Sequence, residues 1–229
     1  MYLYPYYVIE DCRYVSTDLK YFDISSTNKL EYREYVTSPE GNVVEVPISI
    51  TGNFLIISIK ENYKQWLSGK ITLPSVNDKG IPINIVGNFA GNKIISEVYF
   101  LEGNSYISIG EKSGNYGFWN AGVRKIYFPP KSPQFKYLIS NCFYFCSSLR
   151  EIENLPNSIE YISPTCFYGC NSLELDKLPD NLKHIGSKAF YGCTKVSFSK
   201  IPLGVETINA GVFINCPNVN ISQFGKMID

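Results

Sequence analysis

Apolar positions in the second half of the chain return in step with one another, at a spacing far longer than a helical or strand period. Phenylalanine stands at Phe143, Phe167, Phe190 and Phe213 and cysteine at Cys146, Cys170, Cys193 and Cys216, each series advancing by 24, 23 and 23 residues. An apolar–proline pair keeps the same phase at Leu155-Pro156, Leu178-Pro179 and Ile201-Pro202, as does an isoleucine at Ile162, Ile185 and Ile208. Four markers in one phase define a repeat. A unit of this length cannot bury its own apolar face, but stacked units share one continuous core. Each unit predicts a short strand at 149–155, 173–178 or 196–201, ended by proline, and a second at 159–162, 182–185 or 205–208. The stretch "KAFYGC" (188–193) has counterparts in "NCFYFC" (141–146), "TCFYGC" (165–170) and "GVFINC" (211–216). It is too short for a long helix and predicts a single helical turn closed by glycine or a sharp bend. Stacking in register then gives an internal phenylalanine column and a parallel cysteine column.

Weaker copies precede these. Residues 71–94 carry Leu73-Pro74, an isoleucine-rich strand and a shortened "NFAGN". Residues 105–130 form a copy swollen by the glycine-rich run "GEKSGNYGFWNAG" (110–122) and closed by Phe128-Pro129. About six units therefore occupy residues 70–229. Residues 1–69 follow another pattern. "EYREYVT" and "NVVEVPISIT" flank "SPEGN" (38–42), which predicts a hairpin. "TGN" (51–53) predicts a turn into "FLIISIK", and "ENYKQWLSG" (61–69) a short helix ending at Gly69. The fold expected is a small antiparallel β module, 1–69, capping a repeat solenoid of short β-strands and single-turn helices, 70–229.

The consensus I-x-x-x-[AC]-F-x-x-C-x-x-[LV], followed by a segment ending in [LI]-P, resembles the BspA-type leucine-rich repeat. "IGSKAFYGCTKV" (185–196) matches nearly position for position, and "ISPTCFYGCNSL" (162–173) departs where Ser163 replaces glycine and Cys166 replaces alanine. The resemblance covers about two thirds of the chain and leaves out residues 1–69. It implies a right-handed leucine-rich-repeat solenoid. Such solenoids belong to surface and secreted proteins of gut and oral bacteria and of parasitic protists, and to phage-encoded proteins. The resemblance also implies adhesion or protein binding, with no catalytic residues to carry over.

Composition narrows the partners. The 21 basic and 21 acidic residues cancel, so no global field favours nucleic acid or an anionic membrane surface. No apolar run reaches the roughly 18 residues of a membrane span. The opening "MYLYPYYVIEDCR" has no basic, apolar and small-residue succession and does not read as a signal peptide, which leaves the compartment open: a virion, or a cell surface if a leader is missing. Seven cysteines, an odd number, argue against a fully paired disulfide framework. Their C-x-x-x-C spacing at 142/146 and 166/170, beside a single histidine, does not suit zinc. They read as buried free thiols acting as small apolar side chains, and neither a metal nor a cofactor is expected. The glycines of 110–122 fail the phosphate-loop pattern. His184 falls at an outward position and reads as a solvated histidine, with no nucleophile–base pair in view.

Three features are candidates for partner contact. One is the tyrosine column Tyr144, Tyr168 and Tyr191, each directly after a buried phenylalanine. Another is the strand face bearing Arg150, Glu151, Glu174 and Asp176. The third is the loop trio Tyr116, Phe118 and Trp119. The cluster Tyr2, Tyr4, Tyr6 and Tyr7 reads as half-buried strand aromatics, with docking as the alternative. The function expected is a non-catalytic protein-interaction or adhesion module, on a cell surface or as a structural component of an assembly such as a phage virion. The alternative is a carbohydrate-binding protein or an enzyme, with its site in residues 1–69 or in 110–122. The partner expected is a protein, with a glycan second. The C-terminal edge is expected to dock on a partner or, by self-association, on another copy of the chain, because the tail "QFGKMID" (223–229) is too short and apolar for a full cap. The alternative is a tail that folds back to plug the edge weakly.

Overall fold

The computed structural model describes residues 19, 22–37, 43–63, 67–110, 117–132, 134–220 and 222. Two sheets line one stack of rungs, the larger along its length and the smaller only as far as Glu153. The larger has eight strands in the order β1 (Phe22–Thr37), β2 (Val43–Ile59), β4 (Ile85–Val86), β6 (Ser108–Ile109), β8 (Tyr137–Leu138), β10 (Tyr161–Ile162), β11 (His184–Ile185) and β12 (Thr207–Ile208). The smaller has four: β3 (Gly69–Leu73), β5 (Ile95–Phe100), β7 (Lys125–Tyr127) and β9 (Glu151–Glu153). From β4 onward, neighbouring strands are parallel, with Ile109, Leu138, Ile162, Ile185 and Ile208 aligned and buried. A slip of one residue would turn that column to solvent, so the isoleucine marker fixes the register. The architecture is a β-solenoid.

The segments around "AFYGC" form successive tight turns, not the single helical turns the sequence suggests. In the rung starting at Ile185, the N–H groups of Ala189, Tyr191 and Cys193 donate to carbonyls three residues back, on Gly186, Lys188 and Phe190, at 3.1, 3.2 and 3.0 Å. The alternate N–H groups, on Lys188, Phe190 and Gly192, donate to Ala210, Val212 and Ile214 of the following rung at 3.1, 3.1 and 2.9 Å. An α-helix directs every interior N–H along its own axis and would leave none for the next rung. The alternation needs two left-handed residues per regular rung. They are Asn141, Thr165, Lys188 and Gly211 at the first position, and Phe145, Gly169, Gly192 and Asn215 at the second. Glycine and asparagine adopt this conformation cheaply, and a bulky residue does not.

The phenylalanine column is present and longer than the regular repeat. Ring centroids follow one another from Phe89 to Phe118 (5.2 Å), Phe143 (5.7 Å), Phe167 (5.2 Å), Phe190 (5.1 Å) and Phe213 (5.9 Å). Phe22 of β1 abuts Phe89 at 6.1 Å. The cysteine column runs beside it, and each thiol has a defined acceptor. Cys146 Sγ donates to the Phe118 carbonyl at 2.8 Å, and Cys170, Cys193 and Cys216 donate to Phe143, Phe167 and Phe190, each at 3.0 Å. Burial pushes the thiols of Cys146 and Cys216 up to about 12 and about 11. A cysteine here is a small apolar filler with one donor aimed at the rung behind it.

Other expectations are adjusted. The hairpin around 38–42 exists as β1 and β2, paired antiparallel from Phe22↔Ile59 to Thr37↔Val43, while the connecting residues 38–42 lie outside the described residues. "TGN" is not a turn: it sits inside β2, where the register slips between Thr27 and Lys29, so it makes a bulge in one long strand. β2 also pairs in parallel with β4, at Ile56↔Ile85 and Ile57↔Val86, so the hairpin is the first member of the solenoid sheet. Of the helix expected at 61–69, Glu61–Tyr63 is a 3-10 turn, residues 64–66 lie outside the described set, and Gly69 opens β3 with φ 71°. The strands expected at 173–178 and 196–201 are absent. Ten positions separate Cys146 from Pro156, but nine separate Cys170 from Pro179 and Cys193 from Pro202. The extra residue in the first case, Asn154, turns left-handed (φ 55°) and donates its Nδ2 to the Phe128 carbonyl at 3.0 Å. The later rungs keep only single ladder bonds, Glu174 N to Arg150 O at 2.8 Å and Ser197 N to Leu175 O at 3.0 Å.

The glycine of the "IG" pair answers to Pro164 of the preceding rung: a Cβ on Gly186 would stand 2.3 Å from the Pro164 nitrogen. In the preceding rung this place is held by Ser163, whose buried hydroxyl has no hydrogen-bond partner.

Two substitutions test this core. Phe190→Ala should cost roughly 3–5 kcal/mol in urea unfolding, because neighbouring rungs cannot close the hole, and Tyr191→Ala should cost clearly less. Ser163→Ala should stabilise the protein by about 1 kcal/mol by removing an unsatisfied hydroxyl. The reverse ranking of Phe190 and Tyr191 would mean that the inward and outward phases are exchanged.

Candidate functional site

The glycine-rich run does not project a contact loop from its described residues. Phe118 is 1% exposed and stacks between Phe89 and Phe143, so it belongs to the core column and not to a partner surface. Its N–H donates to the Cys142 carbonyl at 2.7 Å, and Ala121 follows three residues later, as Cys146 follows Phe143. The run is a rung with alanine in place of cysteine, a spacing that the sequence shows once the cysteine is not demanded. Tyr116, with residues 111–115, lies outside the described set, as do Tyr2, Tyr4, Tyr6 and Tyr7. Trp119 is 39% exposed and occupies the place in its rung that Tyr144 occupies in the next.

The tyrosine column forms a ladder. Tyr144 stacks on Tyr168 at 4.9 Å and Tyr168 on Tyr191 at 4.6 Å, with interplanar angles of 19° and 4°. The rings are half-buried and spend their faces on one another, which leaves edges for solvent. Phe145 lies beside the ladder, edge-on to Tyr144 (4.7 Å) and Tyr168 (5.5 Å), and is 47% exposed. Ile214, 49% exposed, takes the tyrosine place in the last described rung. Trp119, Tyr144, Phe145, Tyr168, Tyr191 and Ile214 thus form one apolar ridge along the turn side. Phe145 and Ile214 were missed in the sequence reading, although "FYFC" against "FYGC" marked the first.

The strand faces are polar and paired across rungs. Arg150 meets Glu174 at 3.3 Å, Lys195 meets the same carboxylate at 3.3 Å, and Lys125 bridges Glu151 and Glu153 at 3.3 and 2.5 Å. Asp176 is exposed on the same side. On the larger sheet, Lys136, Glu160 and Lys183 stack with contacts of 3.0 and 2.7 Å, and these lysines hold the Glu160 carboxyl below its ordinary value. His184 is not simply solvated. It is half-buried, stacks on Tyr161 at 4.8 Å, and shares a 2.8 Å hydrogen bond between Nδ1 and Thr207 Oγ1. His184 and Thr207 are register partners of β11 and β12, so the contact follows from strand pairing. Among the described residues, no group of three or more His, Cys, Asp or Glu is placed to hold a metal ion. No described helix is long and apolar enough to cross a membrane.

The lysine–glutamate stack sets a pH dependence. A carboxyl held low in the folded state contributes stability above its ordinary value near 4.5, and loses it as pH falls through the depressed value. Glu160→Gln should therefore cost roughly 1 kcal/mol or less at pH 7, given its partial exposure. The difference from the parent should vanish below the depressed value. Urea midpoints measured as pH falls from 7 check this, and a difference that does not shrink with falling pH would assign the role of Glu160 to packing.

Comparison with known proteins agrees with the geometry. The family model for the BspA type leucine rich repeat region matches in six copies over residues 111–229. A search of curated proteins found no match. Three solved structures are similar. A leucine rich cell surface protein from Faecalibacterium prausnitzii A2-165 has a TM-score of 0.57 at 16% identity, over 82% of this chain and 52% of that one. A leucine rich repeat protein from T. pallidum has 0.43 at 22% identity, over 82% and 66%. A leucine-rich repeat protein from Bacteroides ovatus ATCC 8483 has 0.41 at 22% identity, over 70% and 51%. The chain spans between about half and two thirds of the length of these proteins. The F. prausnitzii likeness supports the fold. With six matched copies over more than half its length, stacked as rungs with a shared phenylalanine and cysteine column, the chain belongs to the BspA-type leucine-rich repeat family.

Proposed function

We propose that the chain is a non-catalytic module that binds a protein partner along the ridge formed by Trp119, Tyr144, Phe145, Tyr168, Tyr191 and Ile214. Phe145 carries the reading. It is a bulky residue held at φ 54°, where the following rungs place Gly169, Gly192 and Asn215, and its ring stands 47% exposed. A left-handed conformation costs a non-glycine residue about 1–2 kcal/mol. Glycine would make the same turn without that cost. Strain kept on an exposed aromatic points to contact, and aromatic residues are enriched where proteins bind one another.

The ridge suits a protein better than a glycan. Sugar rings are held against open aromatic faces, and the tyrosine ladder closes its faces by stacking. The setting proposed is a cell surface, in keeping with the name of the F. prausnitzii neighbour. The virion setting rests on the sequence resemblance alone. Residues 1–69 are proposed as the cap of the first edge, with β1 and β2 covering the rung that contains β4.

Phe145→Gly separates binding from folding. Its stability should stay within about 1 kcal/mol of the parent, because relief of left-handed strain offsets the lost edge contacts and the added backbone freedom. Binding should fall at least tenfold, in the range of a loss expected for a buried aromatic anchor. The labelled chain is to be screened against purified extracellular proteins and, in parallel, a glycan array. Saturable protein binding that is weakened by Phe145→Gly and by Tyr168→Ala supports the reading. Binding only to glycans, or binding indifferent to both substitutions, overturns it.

A further inference from the structure

Two of the repeat cysteines lie outside the column described above. Cys142 and Cys166 precede Phe143 and Phe167 directly, in adjoining rungs, and their place is taken by Gly117 in the rung before and by Ala189 and Val212 in the rungs after. Both are fully buried, and their Sγ atoms are 3.3 Å apart. The other four thiols donate to backbone carbonyls of the preceding rung, whereas these two face one another. The backbone around the pair is already at ladder spacing, with Phe143 N donating to Cys166 O at 2.9 Å. Rungs so bonded stand roughly 4.8 Å apart, within the Cα separation of about 4.4–6.8 Å that a disulfide spans. The sulfur atoms need to close by only about 1.3 Å to reach bonding distance, a movement within reach of side-chain rotation.

We propose that Cys142 and Cys166 are a disulfide site that cross-links adjoining rungs of the solenoid when the chain folds under oxidising conditions. The oxidant is a low-molecular-weight disulfide, with oxidised glutathione as the probe. One thiolate attacks the glutathione disulfide, forms a mixed disulfide and expels one glutathione thiolate. The second protein thiolate then attacks the protein-bound sulfur and expels the other. Two protein thiols lose two protons and two electrons, and one oxidised glutathione becomes two reduced molecules. Burial, which pushes the Cys166 thiol up, keeps the folded rung slow to react. The bond therefore forms during folding, or when the rung opens. Once formed, it ties residues that are 24 apart in sequence and constrains the unfolded chain.

The full chain is to be unfolded in urea and refolded with a reduced and oxidised glutathione mixture, or with dithiothreitol. A third sample is held folded with oxidised glutathione in sub-denaturing urea. Free thiols are then blocked with iodoacetamide and the peptides mapped without reduction. The expected result is a Cys142–Cys166 linkage in the oxidised samples, with Cys146, Cys170, Cys193 and Cys216 all alkylated. The urea midpoint of the oxidised protein should exceed that of the reduced protein by about 1 M. Cys142→Ala, which places at this site the residue found at Ala189, should abolish both the linkage and the oxidant-dependent rise. Cys193→Ser should retain both. Alkylation of all six repeat thiols in every sample, or a linkage such as Cys146–Cys170, overturns the proposal.

Discussion

The whole molecule depends on one constraint: the turn side of each rung must give alternate N–H groups to the next rung while still closing on itself. Strands meet this demand automatically, because their N–H groups point sideways. A turn meets it only with left-handed residues at fixed places, here at Thr165 and Gly169, or Lys188 and Gly192. Once they are in place, Phe167 and Gly169 donate to Ala189 and Tyr191 at 2.8 Å each. The rungs then sit close enough for phenylalanine rings to stack and for the thiols of Cys146, Cys170, Cys193 and Cys216 to reach the carbonyl behind them. The aromatic ladders and the thiol column are consequences of that spacing.

Stacking at this spacing brings equivalent residues of neighbouring units into contact, so any charge meets its counterpart one period away. The chain answers with alternating sign. Lys136, Glu160, Lys183 and Glu206 occupy one outward column of the larger sheet, and Arg150, Glu174 and Lys195 make a second chain of opposite charges on the other side. Each exposed pair contributes little to stability. Their value lies in register, since a shift by one unit would set lysine against lysine and glutamate against glutamate. The apolar columns fix which residues face inward, and the charges discourage pairing with the wrong copy.

What was legible in the sequence follows the same logic. Phe143 to Phe213 and Cys146 to Cys216 recur at a nearly constant step, and the core they build is the one observed. The hairpin was legible because Pro39 and Gly41 separate two apolar runs. Phe118 was not, because its rung stands 25 residues from the next and carries Ala121 where a cysteine was sought. The turns were taken for helical ones because Thr165 and Lys188 give no local sign of a left-handed backbone; only the ladder to the next rung demands it. The missing strands at 173–178 and 196–201 reflect ladder bonds lost between rungs, where only Glu174 N to Arg150 O and Ser197 N to Leu175 O remain. In each case the missed feature is a relation between rungs, and a local reading of one rung does not contain it.

Departures from the repeat are therefore more informative than the repeat. A position that every rung fills alike is explained by stacking, whatever the protein does. Ser163 departs and leaves a buried hydroxyl unsatisfied, which is a cost without a visible return. Cys142 and Cys166 depart together, in adjoining rungs, and face each other across the gap. Phe145 departs alone, outward, at a place where glycine would hold the same backbone with less strain. The protein has one surface where strain, exposure and aromatic character coincide, among the described residues, and it lies on the turn side. On the strand sides the outward residues are already engaged with neighbouring rungs, by ion pairs at Glu174 and by stacking at Tyr161. A partner docking there would have to break contacts the fold has made, whereas along the ridge it would cover rings that water now touches.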